Sequence, residues 1–306
     1  MRKFLVAALV AVLVSVSVFA GEKKDPKTMR IGYLTMDRNN VFLNLLTDAV
    51  VAEAKRQGVQ LVVLDGENRA EKQVAQMENL IAQFYDGIIL NACSYEGLTN
   101  GVAAAHREGI PVITVNQTVS NQDLCVAYVG SDAVESGRLQ GEQIRNMTGG
   151  KGRIVVLHGT MGAEPEINRK KGLMQGLEGG DFTIVASNTA NWQNDQAMRV
   201  VENWMQANLD FDIVAAQNDN MAMGALKAVE DAGNADKIRV WGIDAIADAC
   251  QAVKDGRLAG TVFQDAKGQG TAAVDAMVRL LQGEKLEKNI WIPYVAVDKD
   301  NVEKYM

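Results

Sequence analysis

Nine residues have the types and placement to act together on a small polar molecule. Asn40 and Phe42 lie in Asp37-Arg38-Asn39-Asn40-Val41-Phe42-Leu43, and Asn91, Asn116, Gln117, Trp192, Asn218, Asp244 and Gln264 follow along the chain. Side-chain amides both donate and accept hydrogen bonds and a carboxylate accepts them, so together they match vicinal hydroxyls. Aromatic faces such as Phe42 and Trp192 cover apolar C–H surface. This is chemistry for holding a neutral, hydroxyl-rich ring or chain.

Covalent chemistry does not assemble. G-x-S-x-G, a Walker A loop and a strand-linked G-x-G-x-x-G are all absent. The two histidines, His106 and His158, are far apart in sequence and form no HExxH-type pair. His158 reads as a structural residue at a strand end, and His106 as a mid-helix surface or core residue. Glu164 and Glu166 read as exposed acids near a helix start, where the dipole favours them. No metal or cofactor is expected.

The elements that must position the nine residues follow from periodicity. Short β-branched runs predict strands at Arg30–Thr35, Gln60–Asp65, Gly87–Asn91, Pro111–Val115, Cys125–Val129, Arg153–His158, Phe182–Ser187, Ile213–Gln217, Ile238–Ile243 and Gly260–Gln264. Apolar residues every three or four positions predict helices at Val41–Gln57, Ala70–Phe84, Gly97–Arg107, Ala133–Met147, Asn194–Ala207, Met221–Ala232 and Thr271–Gln282. Asp132 with Glu135 is a capping-box-like start, and Asp219 is expected to cap the helix beginning at Asn220. Strand–helix alternation means parallel sheets covered on both faces. Ten strands in 306 residues suit two doubly wound lobes better than one sheet. Ligands in such sheets sit beyond the strand C-termini, and that is where the nine residues fall. Asn91 and Asn116 could equally end strands in turns, and Phe42 could pack in the core.

Composition is ordinary for a globular chain, with 47% apolar and 23% charged residues. The net charge of −7 argues against a nucleic-acid-binding surface, which needs concentrated positive charge. Met1-Arg2-Lys3, the apolar run Phe4 to Ala20 and the small residues before Gly21 form an export signal, cleaved near Ala20. Losing Arg2 and Lys3 takes the charge from −7 to −9. Residues 21–29 then form a polar tail. Cys93, Cys125 and Cys250 are an odd set. An oxidising compartment permits a Cys93–Cys125 bridge, but three buried small apolar side chains is the preferred reading.

Six segments resemble periplasmic sugar-binding proteins of the ribose-binding type, the soluble receptors of ABC importers. They are Asn39-Asn40-Val41-Phe42, Leu61–Asp65, Ile110–Thr114, Gln217-Asn218-Asp219-Asn220-Met221-Ala222-Met223-Gly224-Ala225-Leu226, Trp241-Gly242-Ile243-Asp244 and Gly260–Gln264. The resemblance runs from Arg30 to the C-terminus, and Gln217–Leu226 is its most specific part. It implies a periplasmic location and a cleft between lobes 30–131 plus 265–293 and 132–264 plus 294–306. It also implies three hinge crossovers. Asn40, Phe42, Asn91, Asn116 and Gln117 then serve the first lobe; Trp192, Asn218, Asp244 and Gln264 serve the second lobe and hinge. The partners implied are a sugar, polyol or cyclitol and a membrane permease, with a chemoreceptor as a further candidate.

Three departures matter. Asn116-Gln117 stand where the family commonly has Asp-Arg, Ile167 stands in the ungapped position of a second Arg, and Leu43 replaces a second stacking aromatic. Asp244 is left as the expected pocket charge, unless Arg38 or Arg169 reaches the cleft. Ribose itself is expected to bind poorly, and an amine-bearing ligand requires Glu164 or Glu166 to face the cleft. Competing classes are a transcriptional regulator, whose helix-turn-helix would stand before the first strand where the sequence reads as an export signal, an exported enzyme, and an exported sensory receptor.

Overall fold

The computed structural model describes residues 28–306, so the expected export signal lies outside the described residues. In chain order the elements are β1 (Arg30–Thr35), α1 (Val41–Arg56), β2 (Gln60–Asp65), α2 (Ala70–Ala82), β3 (Gly87–Leu90), α3 (Thr99–Arg107), β4 (Val112–Val115) and β5 (Ala127–Gly130). They continue with α4 (Ala133–Met147), β6 (Lys151–His158), α5 (Glu164–Leu177), β7 (Asp181–Thr189), α6 (Asn194–Gln206), β8 (Ile213–Ala216), α7 (Asp219–Asp231), β9 (Arg239–Trp241) and α8 (Ala247–Lys254). The last are β10 (Thr261–Phe263), α9 (Ala266–Leu281), β11 (Asn289–Trp291) and β12 (Val295–Val297).

Two parallel sheets result. The first runs β11-β5-β4-β3-β1-β2 and the second β7-β6-β8-β9. β10 pairs antiparallel with β12, and single bridges at Trp241–Gly260 and Asp244–Phe263 tie it to the second sheet. The chain therefore passes between sheets after β5, after β10 and after β11. This is the two-lobed α/β fold expected from the alternation.

Side-chain alternation fixes which helix covers which face. In β1, Ile31 and Tyr33 join Leu46 and Val50 of α1 and Val274 and Met277 of α9, while Leu34 joins Met77 and Leu80 of α2 on the other face. In β6, Val155 and Leu157 face Val201, Leu226 and Val253 of α6, α7 and α8; Ile154 and Val156 face Ile144 of α4 and Leu173 of α5.

The predicted strands all occur, and β1, β2 and α4 match their expected bounds. The sequence reading gives no bounds for α5 beyond a helix start near Glu164 and Glu166, and none for α8. In α5 the reason is physical: its buried face holds Gly172, Gly176 and the polar Glu166 and Arg169 beside only two leucines. A Cβ at Gly172 would lie 1.9 Å from the Val134 carbonyl oxygen, and one at Gly176 2.2 Å from that of Arg138. A Cβ at Gly137 would meet the Arg169 carbonyl oxygen at 2.1 Å. Helices α4 and α5 thus pack backbone to backbone at these glycines, positions that register nothing in a hydrophobicity pattern.

Helix α9 begins at Ala266, five residues before the expected Thr271, because the Asp265 carboxylate caps it through Gly268 N at 2.7 Å. The three cysteines are free thiols. Burial pushes Cys93 and Cys250 up to about 11 and Cys125 up to about 12. They act as small apolar side chains, and the Cys93–Cys125 bridge does not form.

Candidate functional site

The two sheets present their C-terminal edges to one another, and a cavity with about 470 Å³ of atom-free space, open to solvent, lies between them. Eight of the nine residues line it: Asn40, Phe42, Asn116, Gln117, Trp192, Asn218, Asp244 and Gln264. Asn91 does not. It is fully buried behind the wall, accepting from Met36 N at 3.0 Å and donating toward Val115 O at 3.3 Å and Asn116 Oδ1 at 3.4 Å. Its geometry is that of a residue that shapes the β3 and β4 termini.

The amides are half committed to the fold. Asn40 Oδ1 accepts from Leu43 N at 3.2 Å and caps α1, leaving its NH2 group for the cavity. Asn218 Oδ1 accepts from Met221 N at 2.9 Å and caps α7. This corrects the expectation for Asp219, which sits inside the helix rather than at its cap. The Asp219 carboxylate instead accepts from Thr261 Oγ1 at 2.6 Å and Ile246 N at 3.0 Å, fully buried behind Asp244. Asn116 holds a left-handed backbone, with φ of 65°, which asparagine tolerates better than most residues.

The aromatic wall is held under strain. Trp192 has φ of 65°, uncommon for a bulky residue. Its carbonyl accepts from Asn220 Nδ2 at 2.9 Å. The indole lies where a Cβ on Gly159 would be, only 1.9 Å away, so the absent side chain at Gly159 is what admits it. Strain of this kind concentrates where the surroundings over-determine a functional geometry. Phe42 faces the cavity from the first turn of α1, and its buried ring also belongs to the first-lobe core. Both readings of Phe42 therefore hold.

Asp244 is not the only charge. Arg169 reaches the cavity from α5 and is almost completely buried. Its guanidinium donates to Gln217 O and to Gln264 Oε1 at 2.8 Å, stands 3.5 Å from the Tyr294 hydroxyl, and lies 5.8 Å from the Trp192 ring centre. Asp244 Oδ1 is 3.7 Å away. The expectation that the family's second arginine is lost fails with it. Ile167, the ungapped match, is 54% exposed and outside the cavity, and Arg169 supplies the fork two residues on. Arg38 is exposed. Burial pushes the Asp244 carboxyl well up from its ordinary range, Arg169 pulls it back, and the like charge of Asp219 adds to the rise. Asp219 is raised by burial too, but its hydrogen bonds from Thr261 and Ile246 favour the ionised form. The proton the pair retains therefore belongs on Asp244.

Glu164 and Glu166 do not line the cavity. Glu166 is buried beside His158, whose Nδ1 is 3.2 Å from Glu166 Oε1. Sequence reasoning named Arg169 only beside Arg38 as an arginine able to reach the cleft, and missed Tyr294, Pro165, Met36, Ser131 and Ala133 as lining residues. Among the described residues no cluster of three His, Cys, Asp or Glu could hold a metal.

A two-lobed α/β chain with a polar, aromatic-walled cavity between the lobes is a cleft-type solute receptor. A family model described as a periplasmic binding protein domain matches residues 31–285, and the chain belongs to that family. It is 36% identical to a Rhizobium meliloti protein provisionally named rhizopine-binding, over 100% of this chain and 99% of the relative. It is 33% identical to the ribose import binding protein of Salmonella typhimurium, over 93% and 95%. Among solved structures it resembles an ABC transporter solute-binding protein of Bacillus halodurans with bound myo-inositol, at 36% identity and a TM-score of 0.89, covering 92% and 98% of the two chains.

Proposed function

We propose that this protein is the exported receptor subunit of an ABC importer, and that it captures a small neutral hydroxylated ring, a cyclitol before a furanose. The observation that carries the reading is the cavity wall. Half-committed amides and one buried Asp–Arg pair offer both donors and acceptors, and Phe42 and Trp192 offer apolar faces. Asn116-Gln117 in place of an Asp-Arg pair removes one guanidinium fork and favours a ligand read by neutral amides. The likeness to the myo-inositol-bound receptor supports the same choice.

The lobes are 30–131 plus 265–293 and 132–264 plus 294–306. Ligand enters an open cleft, and rotation about the three crossovers closes the lobes around it, as hinge closure works in periplasmic binding proteins generally. The closed form is the one a permease reads. Membership of a binding-protein family supports capture of the ligand without turnover.

A thermal-shift panel on ligand-stripped protein tests this. It includes myo-inositol, xylitol, ribose, galactose and amino acids. A ligand at about 1,000 times its Kd adds roughly 4 kcal/mol, a shift of several degrees. The expected hit is myo-inositol, with ribose weak. A response confined to amino acids overturns the reading. Export is tested separately: the N-terminal residue of the periplasmic protein is expected to be Gly21, and an intact Met1 in that fraction would refute cleavage.

A further inference from the structure

Outside the cavity, a second crevice is lined by Tyr95, Thr118, Glu164, Ile167 and Asn168. It encloses about 660 Å³ of atom-free space open to solvent. Its residues come from both lobes: Tyr95 and Thr118 follow β3 and β4 of the first sheet, and the other three belong to α5. The same two segments also wall the cavity. Asn116 and Gln117 face inward while Thr118 faces the crevice. In α5, Pro165 and Arg169 face inward, four residues apart, while Glu164, Ile167 and Asn168 form the neighbouring face.

The crevice repeats the chemistry of the cavity. It has one aromatic ring, two hydroxyls, one amide and one carboxyl. Tyr95 is 38% and Ile167 54% exposed, so both offer uncovered apolar surface. Glu164 is held by Asn168 Nδ2, and burial pushes its carboxyl up from the ordinary range. The Ile167 side chain, lying outside the cavity, finds a setting here.

Resting on the cyclitol reading above, we propose that this crevice is an outer subsite that accepts a second hydroxylated ring joined to the one held in the cavity. Tyr95 covers a face of that ring, Asn168 and Thr118 bond its hydroxyls, and Ile167 packs on its C–H edge. The receptor then takes glycosides of its ligand as well as the free ring.

Calorimetric titration of stripped protein with myo-inositol and with its galactoside tests this. Wild type is expected to bind both within about tenfold of each other. Tyr95→Ala and Asn168→Ala are expected to weaken the galactoside at least fivefold and myo-inositol less than twofold. Ile167→Trp, which fills the crevice, should do the same from the opposite direction. Binding of myo-inositol without the galactoside overturns the subsite alone, as do variants that weaken both ligands equally. Binding of neither ligand overturns the cyclitol reading and the subsite built on it.

Discussion

Asp244→Ala is expected to lower ligand affinity more than a hundredfold, roughly 3 kcal/mol, as measured by titration calorimetry. Asp244 Oδ1 lies 3.7 Å from the Arg169 guanidinium, close enough for attraction but beyond a hydrogen bond, so the expected loss comes mainly from the ligand. Each charge-assisted bond from a ligand hydroxyl to the carboxylate is worth ~1.5–3 kcal/mol, while Arg169 keeps its bonds to Gln217 O and Gln264. Asp244→Asn preserves shape and separates charge from packing. In the free protein burial holds a proton on Asp244, whereas ligand hydroxyls bond best to the carboxylate. Binding therefore expels a proton, and affinity rises with pH until Asp244 is ionised in the free protein.

Stability runs the other way. Above an unfolded Asp pKa of about 3.9, the native state holds more protons than the unfolded chain at this position, so ligand-free stability falls as pH rises. In Asp244→Asn, affinity is expected to be low and flat with pH, with a shallower fall in stability. A wild-type affinity that does not change between about pH 5 and about pH 9 would remove Asp244 from the binding role.

Gly172→Ala is expected to destabilise the protein by about 3 kcal/mol, at the upper end of the usual overpacking cost. For a chain of this size that is a fall in Tm of about 6–12 °C. The added methyl has nowhere to go: it meets the Val134 carbonyl at 1.9 Å, and a backbone atom cannot rotate aside. Helix α5 must move off α4, and it carries Pro165 and Arg169 with it. Ligand affinity should therefore fall along with stability, although Gly172 does not touch the cavity. Met174→Ala, a half-exposed site on the same helix, is the control and should melt within about 1 °C of wild type. A Gly172→Ala protein that melts with wild type would sink the argument.

The sequence disclosed the frame of this molecule better than its charges. β1 and β2 could be read residue by residue because their β-branched runs end cleanly, and α4 because Asp132 marks its start. α5 shows only its acidic start, since its glycine contacts leave little hydrophobic signature. Without the body of the helix, Arg169 stands only beside Arg38 as an arginine able to reach the cleft. In Asn168-Arg169-Lys170-Lys171 nothing local separates the one buried cation from its exposed neighbours. The available signal was the four-residue spacing from Pro165, useful only once a helix had been recognised there. Asn218 and Asp219 are adjacent and both good caps, so which one caps α7 depended on Thr261, forty-two residues away, offering Asp219 a partner. Asn91 was misplaced for a related reason: a strand-end amide can face a ligand or tie two strand ends together.

Asn40 and Asn218 each start a helix with one half of the amide and face the cavity with the other. For anyone reshaping this receptor into a sensor for a different molecule, the wall divides into two classes of position. Replacing Asn40 or Asn218 forfeits a helix cap, at ~1 kcal/mol each, before any new ligand is gained. Leu43, Gln117, Ser131 and Ala133 also line the cavity, and none of their side chains caps a helix. Retargeting should begin there, where recognition can change without first unsettling the scaffold.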